Sequence, residues 1–188
     1  MKIVIIGPAY PLRGGIAKTN EELCKSLNKL GHQTEIISFK LQYPSFLFPG
    51  KSQYSNNQKP DIKIESLINS INPFNWIIVG KKINNKNPNL VIFRYWLPFM
   101  SPCLGSIARF LNKSIKIIAI TDNIIPHEKR LGDNLLTKYF INACNGFIAM
   151  STSVKKELTT ISQKPNSYSP HPIMANFGEK LKKKIACE

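Results

Sequence analysis

The sequence predicts an α/β fold, a parallel sheet with helices on both faces, and three observations support this prediction. Apolar segments of strand length alternate with segments of helical spacing along most of the chain. The predicted strands are nearly continuous in apolar residues, as in strands that are buried on both faces. A glycine-bearing loop joins the first strand to the first helix, and such a loop brings backbone N–H groups and a helix N-terminus close to a ligand.

Composition favours one domain with a basic surface. The chain has 188 residues, of which 43% are hydrophobic, and this is enough to bury a core. Its net charge is +15, from 26 Lys and Arg against 11 Asp and Glu. An excess that is spread along the chain favours anionic partners, such as phosphates or an anionic membrane surface. The simpler alternative is that lysine only keeps the surface solvated.

The cysteines argue against a metal centre or a disulfide framework. Cys24, Cys103, Cys144 and Cys187 lie far apart, and no C-x-x-C motif occurs. Buried free thiols in a reducing cytosol fit better. No signal peptide is evident, and no segment approaches the roughly 20 apolar residues of a membrane-spanning helix. We therefore expect a cytoplasmic protein, with any membrane contact peripheral and at the inner face.

The first third of the chain contains two strands, one helix and a long loop. Strands are predicted at 1–6 and 34–39, and a helix from Ile16 to Leu30 that ends at Gly31. Residues 41–60 hold three prolines and several aromatic side chains, which predicts a long loop. Its aromatic and lysine side chains would either contact a membrane or an amphipathic acceptor, or fold back on the core.

Beyond this loop the alternation is regular. We predict strands at 61–65, 90–95, 115–120, 146–150 and 168–169, and helices at 74–83, 98–111, 135–144 and 151–158. Ser151 is a candidate N-cap of the last helix.

Polar residues gather in the loops that follow the predicted strands. In a parallel sheet these loops share one edge, beyond the carboxyl ends of the strands, where ligands bind. The residues are Gly14 and Gly15, Arg94 to Trp96, Asp122 and Asn123, His127 and Glu128. Carboxylate, amide, arginine and aromatic side chains are suited to binding sugars, whereas the loop around His127 could equally be held by backbone hydrogen bonds. No D-x-D motif occurs, so the pattern does not support a metal site.

The glycine loop matches no standard nucleotide fingerprint. The G-x-G-x-x-G pattern is absent and the second strand ends without an acid, which argues against a nicotinamide site. Residues 13–19 resemble a P-loop, but Ala17 stands where a glycine is needed before Lys18. A P-loop ATPase, with 117–122 as its second motif, remains an alternative. Otherwise the loop is either a Gly-Gly turn that a phosphorylated ligand approaches, or a turn that only packs.

Five motifs together resemble a known family. They are Gly-Pro-x-x-Pro-x-x-Gly-Gly-Ile-Ala at 7–17, Asn-Pro-Phe-Asn-Trp at 72–76, Arg-Tyr-Trp-Leu-Pro-Phe at 94–99, Asp-Asn-x-x-Pro-His-Glu-Lys-Arg at 122–130 and Pro-His-Pro-Ile-x-x-Asn-Phe-Gly at 170–178. Their order and spacing resemble the N-terminal half of the retaining glycosyltransferases of family 4, which have the GT-B architecture.

The resemblance implies a Rossmann-like domain that faces a second one across a nucleotide sugar, with no other cofactor. It implies that Gly14 and Gly15 approach the donor phosphates. The catalytic candidates that follow are Asp122, which stands where the family often has a histidine, and His127. The acceptor-binding candidates are Arg94, Tyr95, Trp96, Asn123 and Glu128.

The resemblance covers 1–178, and residues 179–188 form a basic tail at which a second, donor-binding domain would start. We expect a fragment, a split subunit or a remnant that has little transferase activity alone. The expected partners are a sugar or lipid-linked glycan acceptor, an anionic membrane surface and a second glycosyltransferase domain in trans, but not nucleic acid. The alternatives are the P-loop ATPase and a non-catalytic glycan-binding remnant.

Overall fold

The computed structural model describes residues 1–44, 53–55, 58–124 and 131–171. Within these ranges, seven parallel strands and five α-helices alternate, which confirms the predicted fold class. The strands are β1 (Lys2–Ile6), β2 (Gln33–Leu41), β3 (Ile64–Asn69), β4 (Leu90–Tyr95), β5 (Lys116–Thr121), β6 (Gly146–Ala149) and β7 (Asn166–Tyr168). The helices are α1 (Gly15–Lys29), α2 (Pro73–Lys86), α3 (Ser101–Phe110), α4 (Asp133–Ala143) and α5 (Thr152–Ile161).

The strand order places a switch point beside β1. The sheet runs β3-β2-β1-β4-β5-β6-β7, so the chain leaves β1 in one direction and later returns to its other side as β4. This is the Rossmann order, extended by a seventh strand. In such sheets the crevice at the switch point is the usual place for a ligand.

The sheet separates two apolar clusters. The larger one packs α2 to α5 against one face, with Leu104, Phe140 and Leu158 among its fully buried side chains. The smaller one packs Cys24 of α1 against the other face, on Ile5 and Ile36. Right-handed crossovers explain this division. The crossover through α1 runs from β1 toward β2, whereas the crossovers through the other helices run in the opposite direction along the sheet, so the helices lie on opposite faces.

The helix ends follow the local sequence signals. Gly31 has a φ of +82°. The N–H groups of Gly31 and His32 donate hydrogen bonds to the carbonyls of Asn28 and Leu27, and these two bonds form a Schellman motif after α1. The Ser151 hydroxyl accepts a hydrogen bond from the Val154 N–H at 3.2 Å, which confirms the predicted N-cap of α5. Cys24, Cys103 and Cys144 are buried free thiols, as predicted, whereas Cys187 lies outside the described residues.

Several predicted bounds were wrong. The third strand was predicted at 61–65 but spans Ile64–Asn69. This strand contains the charged residue Glu65, whose carboxylate is compensated by Lys82 and Lys86, each at 2.7 Å. The predicted helix at 98–111 divides into a 3₁₀ turn, Pro98–Met100, and α3, and the last strand is 166–168 rather than 168–169.

Among the described residues of the predicted long loop, Tyr43 folds back on the core, whereas Tyr54 is 56% exposed. The Tyr43 ring stacks on Phe99 with centroids 6.1 Å apart, and its hydroxyl accepts a hydrogen bond from the Trp96 indole at 2.7 Å. Phe46, Phe48 and Lys51 lie outside the described residues. Within the described ranges, none of the helices combines the length and the apolarity that crossing a bilayer requires.

Candidate functional site

The glycine loop leaves its backbone accessible. Gly14 has a φ of +126°, a left-handed conformation that favours glycine, and α1 begins at the next residue. A Cβ on Gly14 or Gly15 would meet no atom within 4 Å. The open space beside the N-terminus of a 15-residue helix is therefore available to a ligand.

Gly7, at the end of β1, serves packing instead. A Cβ on Gly7 would lie 2.6 Å from the Asn20 amide nitrogen and 2.9 Å from the Arg94 Cβ. Asn20 is fully buried and donates a hydrogen bond to the Pro8 carbonyl at 2.9 Å. β1, β4 and α1 thus meet closely at the switch point, and the sequence patterns did not reveal this role of Gly7.

A cleft of about 700 Å³ opens beside the glycine loop. We call it the α1 cleft; the residues that define it are Tyr10, Arg13, Gly14, Gly15, Lys18, Glu21, Glu22, Lys25, Ser55, Gln58, Lys59 and Pro60, with Leu12 and Ala17 completing the lining. One wall is the outer stripe of α1, and the opposite wall is the end of the long loop. Six of its fourteen lining residues carry a charged side chain.

The long-loop wall of the α1 cleft is attached to the glycine loop by backbone pairing. The Arg13 N–H donates to the Gln53 carbonyl at 2.9 Å, and the Ser55 N–H donates to the Pro11 carbonyl at 2.8 Å. Between these bonds, Leu12 and Tyr54 form an antiparallel bridge. Sequence reasoning assigned this segment to a long loop but could not predict its pairing, because neither partner has the pattern of a strand.

The second polar cluster lies where β4 and β5 end. The Arg94 guanidinium donates two hydrogen bonds to the Asp122 carboxylate, each at 2.5 Å, and only 3% of the Arg94 side chain is exposed. The His171 Nε2 lies 3.6 Å from an Asp122 oxygen, and this imidazole is mostly exposed. The structure therefore brings Asp122 together with His171, which the sequence analysis named only as part of a motif.

Two predicted acceptor-binding residues need correction. Arg94 is enclosed and paired with Asp122, so its guanidinium is occupied within the protein. Tyr95 is wholly buried: it stacks on Phe140 at 4.6 Å, and its hydroxyl lies within hydrogen-bond distance of Ser101 and Thr137. The sequence could not predict these positions, because neighbouring residues of a strand point to opposite faces of the sheet and the sequence does not show what covers each face.

The other predicted residues have mixed positions. Trp96 is partly buried, since its ring meets Phe39 edge-on at 6.0 Å and its indole bonds to Tyr43. Asn123 directly follows Asp122 at the edge of the sheet and is partly exposed. His127 and Glu128 lie outside the described residues. The α1 cleft is lined by Gly14 and Gly15 but not by Arg94 or Asp122, so the described residues do not join the two predicted sets in one cavity.

Glu21, on the α1 cleft, is an ionisable group of this lining whose pKa is shifted. Burial raises the pKa of Glu21 above its ordinary value, although the Tyr10 N–H, at 2.8 Å from its carboxylate, opposes this shift. Among the described residues, no group of three or more histidine, cysteine, aspartate or glutamate side chains could hold a metal ion.

Comparison of the structure with solved structures finds several chains of similar fold. An alpha-glucosyltransferase in complex with UDP and a mismatch-containing 13-mer DNA matches 88% of this chain, at 13% identity and a TM-score of 0.55. MurG of Acinetobacter baumannii matches 81% of it, at 11% identity and a TM-score of 0.51. UDP-GlcNAc 2-epimerase of Methanocaldococcus jannaschii matches 85%, at 12% identity and a TM-score of 0.54. The chain has a GT-B-like fold.

The chain covers less than half of the length of these three structures. It spans 40% of the alpha-glucosyltransferase chain and 42% of the MurG and epimerase chains. By contrast, it spans 91% of a solved sucrose-phosphate synthase chain from Thermosynechococcus elongatus, at 12% identity and a TM-score of 0.54. No family model and no curated protein matches the sequence.

Proposed function

We propose that this chain is the acceptor-side domain of a nucleotide-sugar-dependent glycosyltransferase, of the retaining family 4 type that its motifs resemble. The main support is the open Gly14–Gly15 loop, placed at the switch point of a GT-B-like sheet. The structural neighbours include an alpha-glucosyltransferase in complex with UDP and a UDP-GlcNAc 2-epimerase, which fits a donor of this class.

In this proposal the glycine loop acts on the leaving group. Sugar transfer forms a bond from an acceptor oxygen to the anomeric carbon and breaks the bond from that carbon to the nucleotide diphosphate, and the proton of the acceptor hydroxyl passes to the departing diphosphate. Backbone N–H groups and the positive end of α1 stabilise the diphosphate as its charge develops. Gly14 and Gly15 allow this approach because neither position carries a Cβ.

The side-chain roles are revised by the geometry. Asp122 is tied to Arg94, so Arg94 becomes a positioning residue that holds this carboxylate at the sheet edge. We propose that Asp122, Asn123 and Trp96 form the floor of the acceptor site, and that His127 and Glu128 contribute from the following loop.

The P-loop alternative receives less support. A Walker loop needs its glycine and lysine at the junction of loop and helix, where they wrap a phosphate. Here the loop ends at Gly14, and Ala17 lies inside the first turn of α1 with its methyl group buried. The Lys18 N–H already donates to the Gly14 carbonyl at 3.1 Å, as in a regular helix.

Amide chemical shifts of the chain provide the test. We expect UDP-glucose or UDP-GlcNAc to move the Gly14 and Gly15 amide signals, with millimolar affinity and without a need for Mg²⁺. Tight binding of ATP that requires Mg²⁺ and is lost in Lys18→Ala would favour the P-loop instead. If no nucleotide sugar moves the loop signals, the proposal is wrong.

We also propose that the domain meets an anionic membrane surface through α2. Phe74 and Ile78 are 78% and 64% exposed and lie on one stripe of this helix, together with exposed Lys81. Sedimentation with vesicles that contain phosphatidylglycerol should capture the chain, and Phe74→Ser with Ile78→Ser should release it. Leu30→Ser, which changes a side chain that is 74% exposed at the opposite edge of the sheet, is the matched control. Equal capture by vesicles of phosphatidylcholine alone would contradict the anionic partner.

A further inference from the structure

We infer that the α1 cleft binds a phosphate group of the acceptor, separate from the donor diphosphate. This inference rests on the proposed function, because it names the class of acceptor. Four observations support it: the charge balance of the lining, the length of the cleft along α1, the backbone pairing of its second wall and its openness at the glycine loop.

The lining has an excess of unpaired cations. It holds two carboxylates, and the Glu22 carboxylate accepts a hydrogen bond from Lys25 at 2.9 Å, so these two charges cancel. The Glu21 carboxylate is turned to the Tyr10 N–H. Arg13, Lys18 and Lys59 then remain, with no ion pair to any carboxylate of the described residues. The Glu21 charge offsets one of them, so the four cations and two carboxylates of the lining leave a net charge of +2.

These three cations come from three different segments. Arg13 belongs to the glycine loop, Lys18 to the first turn of α1 and Lys59 to the end of the long loop. Like charges that converge on one cavity repel each other, and a dianionic group placed between them relieves this repulsion. Phosphate oxygens accept charge-assisted hydrogen bonds from lysine and arginine, so phosphate is the chemistry that this lining fits.

The cleft is too long for the donor diphosphate alone. It follows α1 from Gly15 to Lys25, a distance of about 15 Å at the helical rise per residue. A diphosphate held at the Gly14–Gly15 loop would occupy only the first turn. The cleft volume of about 700 Å³ leaves room for a second group beside it.

Residues 53–55 of the second wall are paired with the glycine loop by backbone hydrogen bonds. The hydrogen bonds of Arg13 and Ser55 join the two segments on either side of the Leu12–Tyr54 bridge. A segment that is already paired loses less conformational entropy on binding, which favours a specific site over a loose basic surface.

The test compares ligands that differ only in phosphate. We expect glucose 6-phosphate to bind the purified chain and to move the amide signals of the α1 cleft, and glucose to bind at least about tenfold more weakly. Dihexanoyl phosphatidic acid, compared with dihexanoyl phosphatidylcholine, provides the same comparison for a lipid phosphate. The arm with higher affinity identifies whether the acceptor phosphate is carried by a sugar or by a lipid.

Two variants and a matched control make the test decisive. Lys18→Ala combined with Lys59→Ala should weaken glucose 6-phosphate binding by about tenfold or more. Lys29→Ala, at an exposed position of the same helix outside the cleft, should leave it unchanged. All three changes are at exposed side chains, so circular dichroism should show a folded chain in each case.

The outcomes separate the two proposals. Equal binding of glucose and glucose 6-phosphate, or equal losses in the cleft variant and in Lys29→Ala, would overturn the phosphate inference. If the Gly14 and Gly15 signals still respond to UDP-glucose in that case, the proposed function survives. If neither ligand class is bound, both proposals are wrong.

Discussion

The two polar regions at the carboxyl edge of the sheet differ in how far their charged and polar groups are paired within the protein. At the glycine loop, the backbone is open and the cations Arg13, Lys18 and Lys59 face a cavity. At the ends of β4 and β5, the Arg94 guanidinium and the Asp122 carboxylate are paired with each other and largely buried. The first region therefore leaves backbone and charged groups accessible, whereas the second pairs its charged groups with each other.

The largest effect should come from breaking the closed region. Asp122→Asn removes the charge that compensates a buried guanidinium, and an uncompensated buried charge costs roughly 3–5 kcal/mol. We expect the free energy of unfolding, measured by chemical denaturation, to fall by about this amount. Asp61→Asn, at an exposed position, should change it by less than about 0.5 kcal/mol.

The double variant Arg94→Leu with Asp122→Leu sharpens this test. It removes both charges together, so it should recover much of the stability that Asp122→Asn loses. If Asp122→Asn unfolds at the same denaturant concentration as the wild-type chain, the pair does not have the closed, mutually dependent geometry described above.

A smaller effect is expected from two glycines that border the same loop. Gly7→Ala forces a Cβ against Asn20 and Arg94, at 2.6 and 2.9 Å, and overpacking of this kind typically costs about 1–3 kcal/mol. Gly15→Ala meets no atom within 4 Å and lies in the first turn of α1, so thermal unfolding should show little loss of stability.

For binding of UDP-glucose, we expect Gly15→Ala to have the larger effect of the two glycine variants. Gly15→Ala narrows the open approach to the backbone, so the amide shifts caused by UDP-glucose should be weakened more than in other folded variants. A Gly15→Ala chain that binds UDP-glucose as well as the wild type would remove the loop from the proposed donor site.

The same contrast explains what the sequence could and could not predict. Backbone features were predictable: the apolar runs, the Gly31 stop, the Ser151 cap and the open Gly14 turn depend on residues close in the sequence. The roles of Tyr95 and Arg94 were not, because each depends on partners from other elements, namely Phe140 and Asp122. The α1 cleft was also missed, since its second wall is positioned by hydrogen bonds between two irregular segments.

The smallest expected effect is a pH dependence of anion binding in the open region. Burial raises the pKa of Glu21, so this group takes up a proton at a higher pH than an exposed glutamate does. As the pH falls, the α1 cleft therefore loses negative charge at a higher pH than it would with an exposed glutamate, while its lysine and arginine side chains stay charged. We expect affinity for an anion to increase as the pH falls from neutral through the pKa of Glu21, and anion binding to be accompanied by proton uptake.

Glucose 6-sulfate is the appropriate probe, because its own charge does not change between pH 7 and 5, whereas a phosphate monoester has a pKa near 6. Glu21→Gln should bind this probe more tightly than the wild type at pH 7, and its affinity should change less than that of the wild type as the pH falls. The Tyr10 N–H can still donate to the amide oxygen of the glutamine, so the loop should keep its shape. A Glu21→Gln chain that retains the full pH dependence would assign the titration to another group and weaken the electrostatic account of the cleft.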